Sequence, residues 1–415
     1  MKKTLFVICF LHFIVFSSYA QWAQQTSGTT NWLNSVYFIN CETGWTVGDA
    51  GTVLITKNGG LNWSPQVINT TDRINDVKFI SSKTGWIAGN NGLLFKTING
   101  GVNWNQLVPG TIKNLNKIYF LNSRTGWIAG DSGMILKTTN RGISWEFQSS
   151  STLRTIYSIF FINSNTGWIA YNGGISKTTN GGLDWVAKNI NAYSWRSVFF
   201  INELTGWVSG SVYSLFKTTD GGESWGKPAS YCTAGDDGDS PPATYTSVFF
   251  INENSGWYTS SHSFGGRISK TYNGGMKWYT DFPTTKDEKF SSVFFYNSLS
   301  GWAVGENGTI LHISLKDFVN TTDNNSTAEK FSLSQNYPNP FNPSTVIRFQ
   351  IKDSRFVTLK VYDITGREIE TLVNGKLNPG TYELKFDGSR LSSGIYFYTL
   401  TAGDFKETKK LFLLK

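Results

Sequence analysis

Residues 74–104 read INDVKFISSKTGWIAGNNGLLFKTINGGVNW, and this one stretch decides the fold. An apolar strand precedes Gly85-Trp86, and a second strand follows the pair. After a Gly-containing turn a third strand runs into Thr97-Ile98-Asn99-Gly100-Gly101-Val102-Asn103-Trp104. The closing octet has a physical logic. An Asn or Asp at its third position bonds its side chain to backbone N–H groups of the following turn. Gly101, two residues later, permits a positive φ. Trp104 caps the hairpin and packs between neighbouring units. Burying such a ring removes about 200 Å2 from water, worth at most ~5 kcal/mol.

The unit recurs. Gly-Trp returns at Gly44-Trp45, Gly126-Trp127, Gly167-Trp168, Gly206-Trp207, Gly256-Trp257 and Gly301-Trp302, in steps of 39 to 50 residues. Equivalents of the octet begin at Thr56, Thr138, Thr178, Thr218 and Thr271 and end at Trp63, Trp145, Trp185, Trp225 and Trp278. A period near forty with several short strands per unit is the signature of a β-propeller. The two motifs hold 13 of the 16 Trp, so these rings read as scaffold spread around a ring, not as a ligand platform. The seventh unit has no closing octet; its chain runs Thr309-Ile310-Leu311-His312-Ile313 and leaves the repeat. The missing piece stands at the other end. Trp22 precedes Phe38 by 16 residues, as Trp104 precedes Phe120. Trp22-Ala23-Gln24-Gln25 is therefore predicted as the fourth strand of the last blade, closing the ring and removing free sheet edges.

Composition agrees. With 415 residues, 42 Gly, 30 Phe and only 16% charged residues, the chain suits an all-β protein with tight turns and excludes a coiled coil, a helical bundle or a disordered chain. The net charge of +8 includes Lys2 and Lys3, and no basic run appears, so no nucleic-acid footprint is present. Lys2-Lys3, the apolar run Leu5–Phe16 and Ser18-Tyr19-Ala20 predict a signal peptide over residues 1–20. That run is too short for a mature bilayer span, and no later segment is long enough, so no transmembrane segment is expected. Cys41 and Cys232 fall on opposite faces of the predicted ring, and no disulfide between them is expected.

The Thr-x-Asn-x-Gly-x-x-Trp octet resembles the Asp-box of bacterial neuraminidase-type repeats. The whole unit, with its Thr-Gly-Trp and Lys-Thr-Thr-Asn-Gly-Gly, resembles the seven-bladed propellers of the photosystem II stability/assembly factor family, over residues 21–315. After a polar linker, residues 316–330, residues 331–415 change character. Short strands are predicted at 346–351, 356–362, 368–373, 382–386, 395–400 and 406–413, with 331–333 adding a seventh; the pattern is an immunoglobulin-like sandwich. Here NYPNPFNPST (336–345), VYDITGRE (361–368), LSSGIYFYTL (391–400) and KKLFLLK (409–415) closely resemble the type A C-terminal sorting domain of the type IX (Por) secretion system. Pro338, Asn339, Pro340, Gly394 and Tyr396 carry the motif. The resemblance implies the type IX machinery as partner, passage through the periplasm and outer membrane, and a secreted or cell-surface destination.

Departures from the period mark candidate sites. Trp225 to Phe250 is 25 residues against the usual 16, and Trp257 to Thr271 is 14 against 11. The insertions, 229–243 with Tyr231 and Cys232 and 260–267 with His262 and Arg267, are predicted side by side over the channel mouth. Asp236, Asp237 and Asp239 cluster carboxylates as a calcium site does. They lack the full loop pattern and a bidentate Glu, so a solvated loop is the plainer reading. Alignment on Phe38 and its equivalents puts Trp32, Arg73, Lys113, Arg154, Trp195, Arg196, Tyr245 and Lys289 near the central rim, where Arg and aromatic side chains suit an acidic or sugar ligand. No paired glycosidase carboxylates, His/Cys metal spacing, Gly-x-Ser-x-Gly or phosphate loop stands out, and the sialidase Arg-Ile-Pro signature is absent. The expectation is a monomeric, non-catalytic propeller that binds a protein or glycan and needs no cofactor. The alternatives are a sialidase-like glycan-processing enzyme and an assembly factor for a membrane complex.

Overall fold

In the computed structural model the described residues are 22–314 and 330–415, except 189, 191–192, 213, 228–242, 263–264, 284–287, 298–299, 378 and 389–390. The signal peptide, nearly all of the linker and the insertion carrying Tyr231, Cys232, Asp236, Asp237 and Asp239 lie outside them.

Seven antiparallel sheets follow one another along the chain. The first is built from Leu33–Phe38, Gly44–Gly48, Val53–Thr56 and Ser64–Pro65. The later blades begin at Ile74–Phe79, Leu115–Phe120, Ile156–Phe161, Trp195–Phe200, Thr244–Phe250 and Phe290–Asn297. These inner strands pack one on the next, and Leu33–Phe38 packs on Phe290–Asn297, so the ring is closed. The closing strand is Ala23–Gln25. It pairs antiparallel with Ile310–Ser314 in the register Ala23 to His312, Gln24 to Leu311 and Gln25 to Ile310.

The Gly-Trp motif explains how blades adhere. Each Trp stacks on the Phe that ends the next inner strand. Centroid distances run from 3.5 to 4.1 Å through Trp45–Phe79, Trp86–Phe120, Trp127–Phe161, Trp168–Phe200, Trp207–Phe250 and Trp257–Phe295. Trp302 on Phe38 completes the circle at 3.4 Å. The preceding residue is Gly because the Phe of its own blade lies against it: a Cβ on Gly44 would sit 2.5 Å from the Phe38 ring. The octet Trp meets that Phe edge-on, as Trp63 does Phe38 at 5.9 Å. In the seventh blade Trp22 takes this place against Phe295 at 5.8 Å and donates from Nε1 to Asp281 at 2.8 Å. Burial of these rings supplies the main driving force for ring assembly.

The octets fold as their composition requires. Thr97 Oγ1 donates to Asn99 Oδ1 and accepts from Gly101 N, while Asn99 Oδ1 accepts from Asn103 N. At the fourth position of the third octet Arg141 replaces the usual Gly and still adopts φ 66°.

The C-terminal unit has two sheets with their own core. Ser332–Leu333, Ser344–Ile351 and Gly380–Asp387 form one; Glu368–Leu377, Arg355–Tyr362, Gly394–Ala402 and Phe405–Leu413 form the other. Inward-facing Ile347, Phe349, Val357, Leu359, Tyr398 and Leu400 are buried between them, the alternation expected of a sandwich.

Candidate functional site

The turns between second and third strands and the loops entering the inner strands share one end of the ring. Backbone bonds lace them together across blades: Gly51 N donates to Asp72 O, and Gly92 N to Lys113 O. Arg73, Lys113 and Arg154 stand exposed on this mouth. Arg73 is braced by Asn34 at 2.7 Å, by Asn75 at 3.1 Å and by Asp49 at 3.4 Å. Asp131 is engaged as well, accepting from Asn114 and Asn116. Arg154 reaches the carbonyl of Asn172 at 3.4 Å.

Arg196 differs. Its guanidinium carbon lies 4.0 Å above the Tyr157 ring, and its buried Nε has no acceptor among the described residues. An unpaired buried donor costs about 1–3 kcal/mol until something accepts from it.

Trp195 and Tyr245 are not on the rim. Trp195 is fully buried against Phe216, and Tyr245 packs on Tyr258 at 4.4 Å. Both occupy the position held elsewhere by Leu33, Ile74, Leu115, Ile156 and Phe290, all core residues. The reason is a bulge at residues 196 and 246 that resets which side chains face the lumen. Trp32 instead donates from Nε1 to Ser291, and Lys289 lies 4.0 Å from Glu306.

The second sixth-blade insertion is no free loop. Gly256–His262 and Gly265–Thr271 extend the hairpin, with Ser260 opposite Arg267 and His262 opposite Gly265. Partial burial and the neighbouring Arg267 charge both lower the His262 pKa. His312 stacks on Trp302 at 4.6 Å and bonds Ser300, a packing role. Among the described residues no group of His, Cys, Asp or Glu is placed to hold a metal ion. Cys41 is a free thiol there, taking a bond from Asn297.

Sequence reasoning searched loops and missed the channel wall. Three residues before each terminal Phe stand Ser35, Asp76, Lys117, Ser158, Ser197, Ser247 and Ser292. Asp76, nearly fully buried, accepts from Ser35 Oγ at 2.6 Å, Lys117 Nζ at 2.9 Å and Ile118 N at 2.8 Å. One residue before each Phe the wall is aromatic, except at Lys78. The signal was present in the alignment: two positions that are Ser and aromatic in most blades carry charge in blades two and three.

In the C-terminal unit the motif is tied to the last strand. Asn339 Nδ2 donates to Lys410 O and its Oδ1 accepts from Phe412 N. Pro338 O accepts from Asn336 and Thr345, while Pro340 is exposed. Gly394 opens its strand, and Tyr396 donates its hydroxyl to Ser392 O at 2.9 Å.

Comparison with known proteins agrees with both halves. The family described as photosynthesis system II assembly factor YCF48 matches residues 15–112 and 62–152, and the family described as secretion system C-terminal sorting domain matches residues 335–414. No curated protein matches the chain. Among solved structures, YCF48 bound to D1 peptide aligns at TM-score 0.60 and 20% identity, over 72% of this chain and 96% of that one. YCF48 from Cyanidioschyzon merolae aligns at 0.58 and 20%, over 71% and 99%. PorZ, a surface component of the type IX secretion system of Porphyromonas gingivalis, aligns at 0.50 and 13%, over 91% and 59%. A glycoside hydrolase family 74 xyloglucanase from Xanthomonas campestris aligns at 0.59 and 10%, over 80% and 59%. At these identities the likeness is one of fold. The sorting domain addresses the chain to type IX export, to the cell surface or beyond. Among the described residues no helix is long and apolar enough to cross a membrane.

Proposed function

We propose, for this YCF48-like propeller joined to a type IX sorting domain, that the exported chain is a non-catalytic binding protein whose channel mouth recognises an acidic group on a protein or glycan. Residues 21–315 would be the binding unit and residues 331–415 the export unit. Arg196 carries the reading. Its ring-stacked guanidinium keeps a buried Nε–H without an acceptor, and a carboxylate or sulfate placed there would satisfy it with a charge-assisted bond. Arg154 and Lys113, exposed on adjoining blades, add positive charge, while the acidic Asp49 and Asp131 are already bonded. That one similar propeller was solved with a peptide bound supports binding as a use of this scaffold.

The test is an array of uronate, sialylated, sulfated and neutral glycans together with acidic peptides, probed with the full chain and with Arg196→Gln. Retention of acidic members, weakened at least tenfold in the variant, is expected. Binding indifferent to Arg196 would reject the mouth as the site. Release of sugar products would favour the enzyme reading, which the glycoside hydrolase neighbours keep in view.

A further inference from the structure

We propose that the channel holds a second site, which takes a small ring-bodied carboxylate between the Lys78 ammonium and a collar of six aromatic rings. The collar is continuous. Tyr37, Phe294, Phe249, Phe199, Phe160 and Tyr119 follow one another with centroids 5.0 to 5.6 Å apart. Lys78 occupies the seventh place, with Nζ 4.3 Å from the Tyr37 centroid and 5.9 Å from that of Tyr119. All seven side chains are only partly buried, so the lumen reaches them.

The electrostatics leave one charge over. Asp76 and Lys117 form an ion pair at 2.9 Å, and that pair is neutral as a unit. Lys78 Nζ has no hydrogen-bond acceptor among the described residues; it lies over the Tyr37 and Tyr119 rings, within electrostatic reach of Asp76 and Lys117. Cation–π contact offsets part of its desolvation, but a buried ammonium gains more from an anion with oxygen acceptors. A single surplus charge fits a monoanion, since a dianion would bring a second charge without a partner. A flat or alicyclic body would stack on such rings. This site is separate from the mouth: Arg196 lies three residues before Phe199 on its inner strand, about 10 Å along the channel.

Burial and the neighbouring Lys117, against the opposing pull of Asp76, bring the Lys78 pKa down to about 8. Tyr37 and Tyr119, the other titratable groups at the collar, are pushed up to about 12 by burial and stay neutral. Binding that needs the ammonium must therefore fade above about pH 8.

Calorimetry on the full chain with benzoate, glucuronate and neutral benzamide tests the site. Benzoate should bind saturably at pH 7, benzamide at least tenfold more weakly, and Lys78→Met should lose at least tenfold in benzoate affinity. Glucuronate binding better than benzoate would assign the ring body to a sugar acid, within the same proposal. Arg196→Gln should leave in place the component of the benzoate heat that Lys78→Met removes, which separates this site from the mouth. Lys78→Arg keeps the charge at all pH and should bind benzoate to pH 10, whatever the folding of the Met variant. Equal binding of benzoate and benzamide, no saturable heat with any probe, full affinity in folded Lys78→Met, or Lys78→Arg fading above pH 8 would overturn it.

Discussion

Replacing Asp76 by alanine should weaken the propeller by loosening three blades at once. Its carboxylate receives Ser35 from the first blade, and Lys117 and the Ile118 amide from the third. Three adjacent blades therefore meet on one side chain. Alanine would leave the Ile118 N–H, on a residue only 1% exposed, without that acceptor, a loss of about 1–3 kcal/mol. Losing the Lys117 pair adds about 1 kcal/mol, discounted because the lysine is 38% exposed. The sum is about 2–4 kcal/mol, or a fall in Tm of about 3–6 °C for a unit of this size. Asp76→Asn keeps an acceptor and removes the charge, so it should cost about half as much. All 16 Trp lie at or before position 302, so Trp fluorescence in urea follows the propeller and not the sandwich. A loss below about 0.5 kcal/mol for Asp76→Ala, or equal losses for the two variants, would refute the reasoning.

Two further outcomes follow from single positions. Asp220 stands where the other octets carry Asn; hydrogen bonds from Ser224, side chain and backbone, pull its pKa to about 2. A depressed carboxylate stabilises above its unfolded value of 3.8 and loses that contribution as pH falls through about 2. Asp220→Asn should therefore change stability at pH 7 by no more than about 0.5 kcal/mol and flatten the decline between pH 4 and pH 2, read from urea midpoints across that range. Arg141 holds φ 66° where the other octets have Gly, so Arg141→Gly should stabilise by about 0.5–1 kcal/mol, seen as a higher thermal midpoint.

Ring, blade number and closing strand were legible because the chemistry repeats. A Gly that makes room for its own Phe and a Trp that covers the next one cannot vary independently, so the pair recurs at the period of the blade. Trp22 was recognisable since the edge-on place against Phe295 requires the same ring at the same offset. The sandwich strands showed through their alternation. The rim was harder. Register shifts between Trp195 and Ser197 and between Tyr245 and Ser247 put two consecutive residues on the lumen side, and counting from Phe cannot detect a bulge. Trp195 and Tyr245 were misplaced for that reason. Lys78 and Asp76 escaped because their partners lie about forty residues away on neighbouring blades, a proximity that only the closed ring creates.

Closure of the ring is the premise beneath both proposed sites, and hydrogen exchange at the seam tests it most directly. Residues Ala23–Gln25 should be protected against exchange, and Trp22→Ala, which removes a ring 3% exposed, should release them, while Ile310–His312, paired also with Trp302–Val304, stays largely protected. Free exchange at Ala23–Gln25 in the unchanged chain would mean that no N-terminal strand closes the seventh blade and would contradict the account.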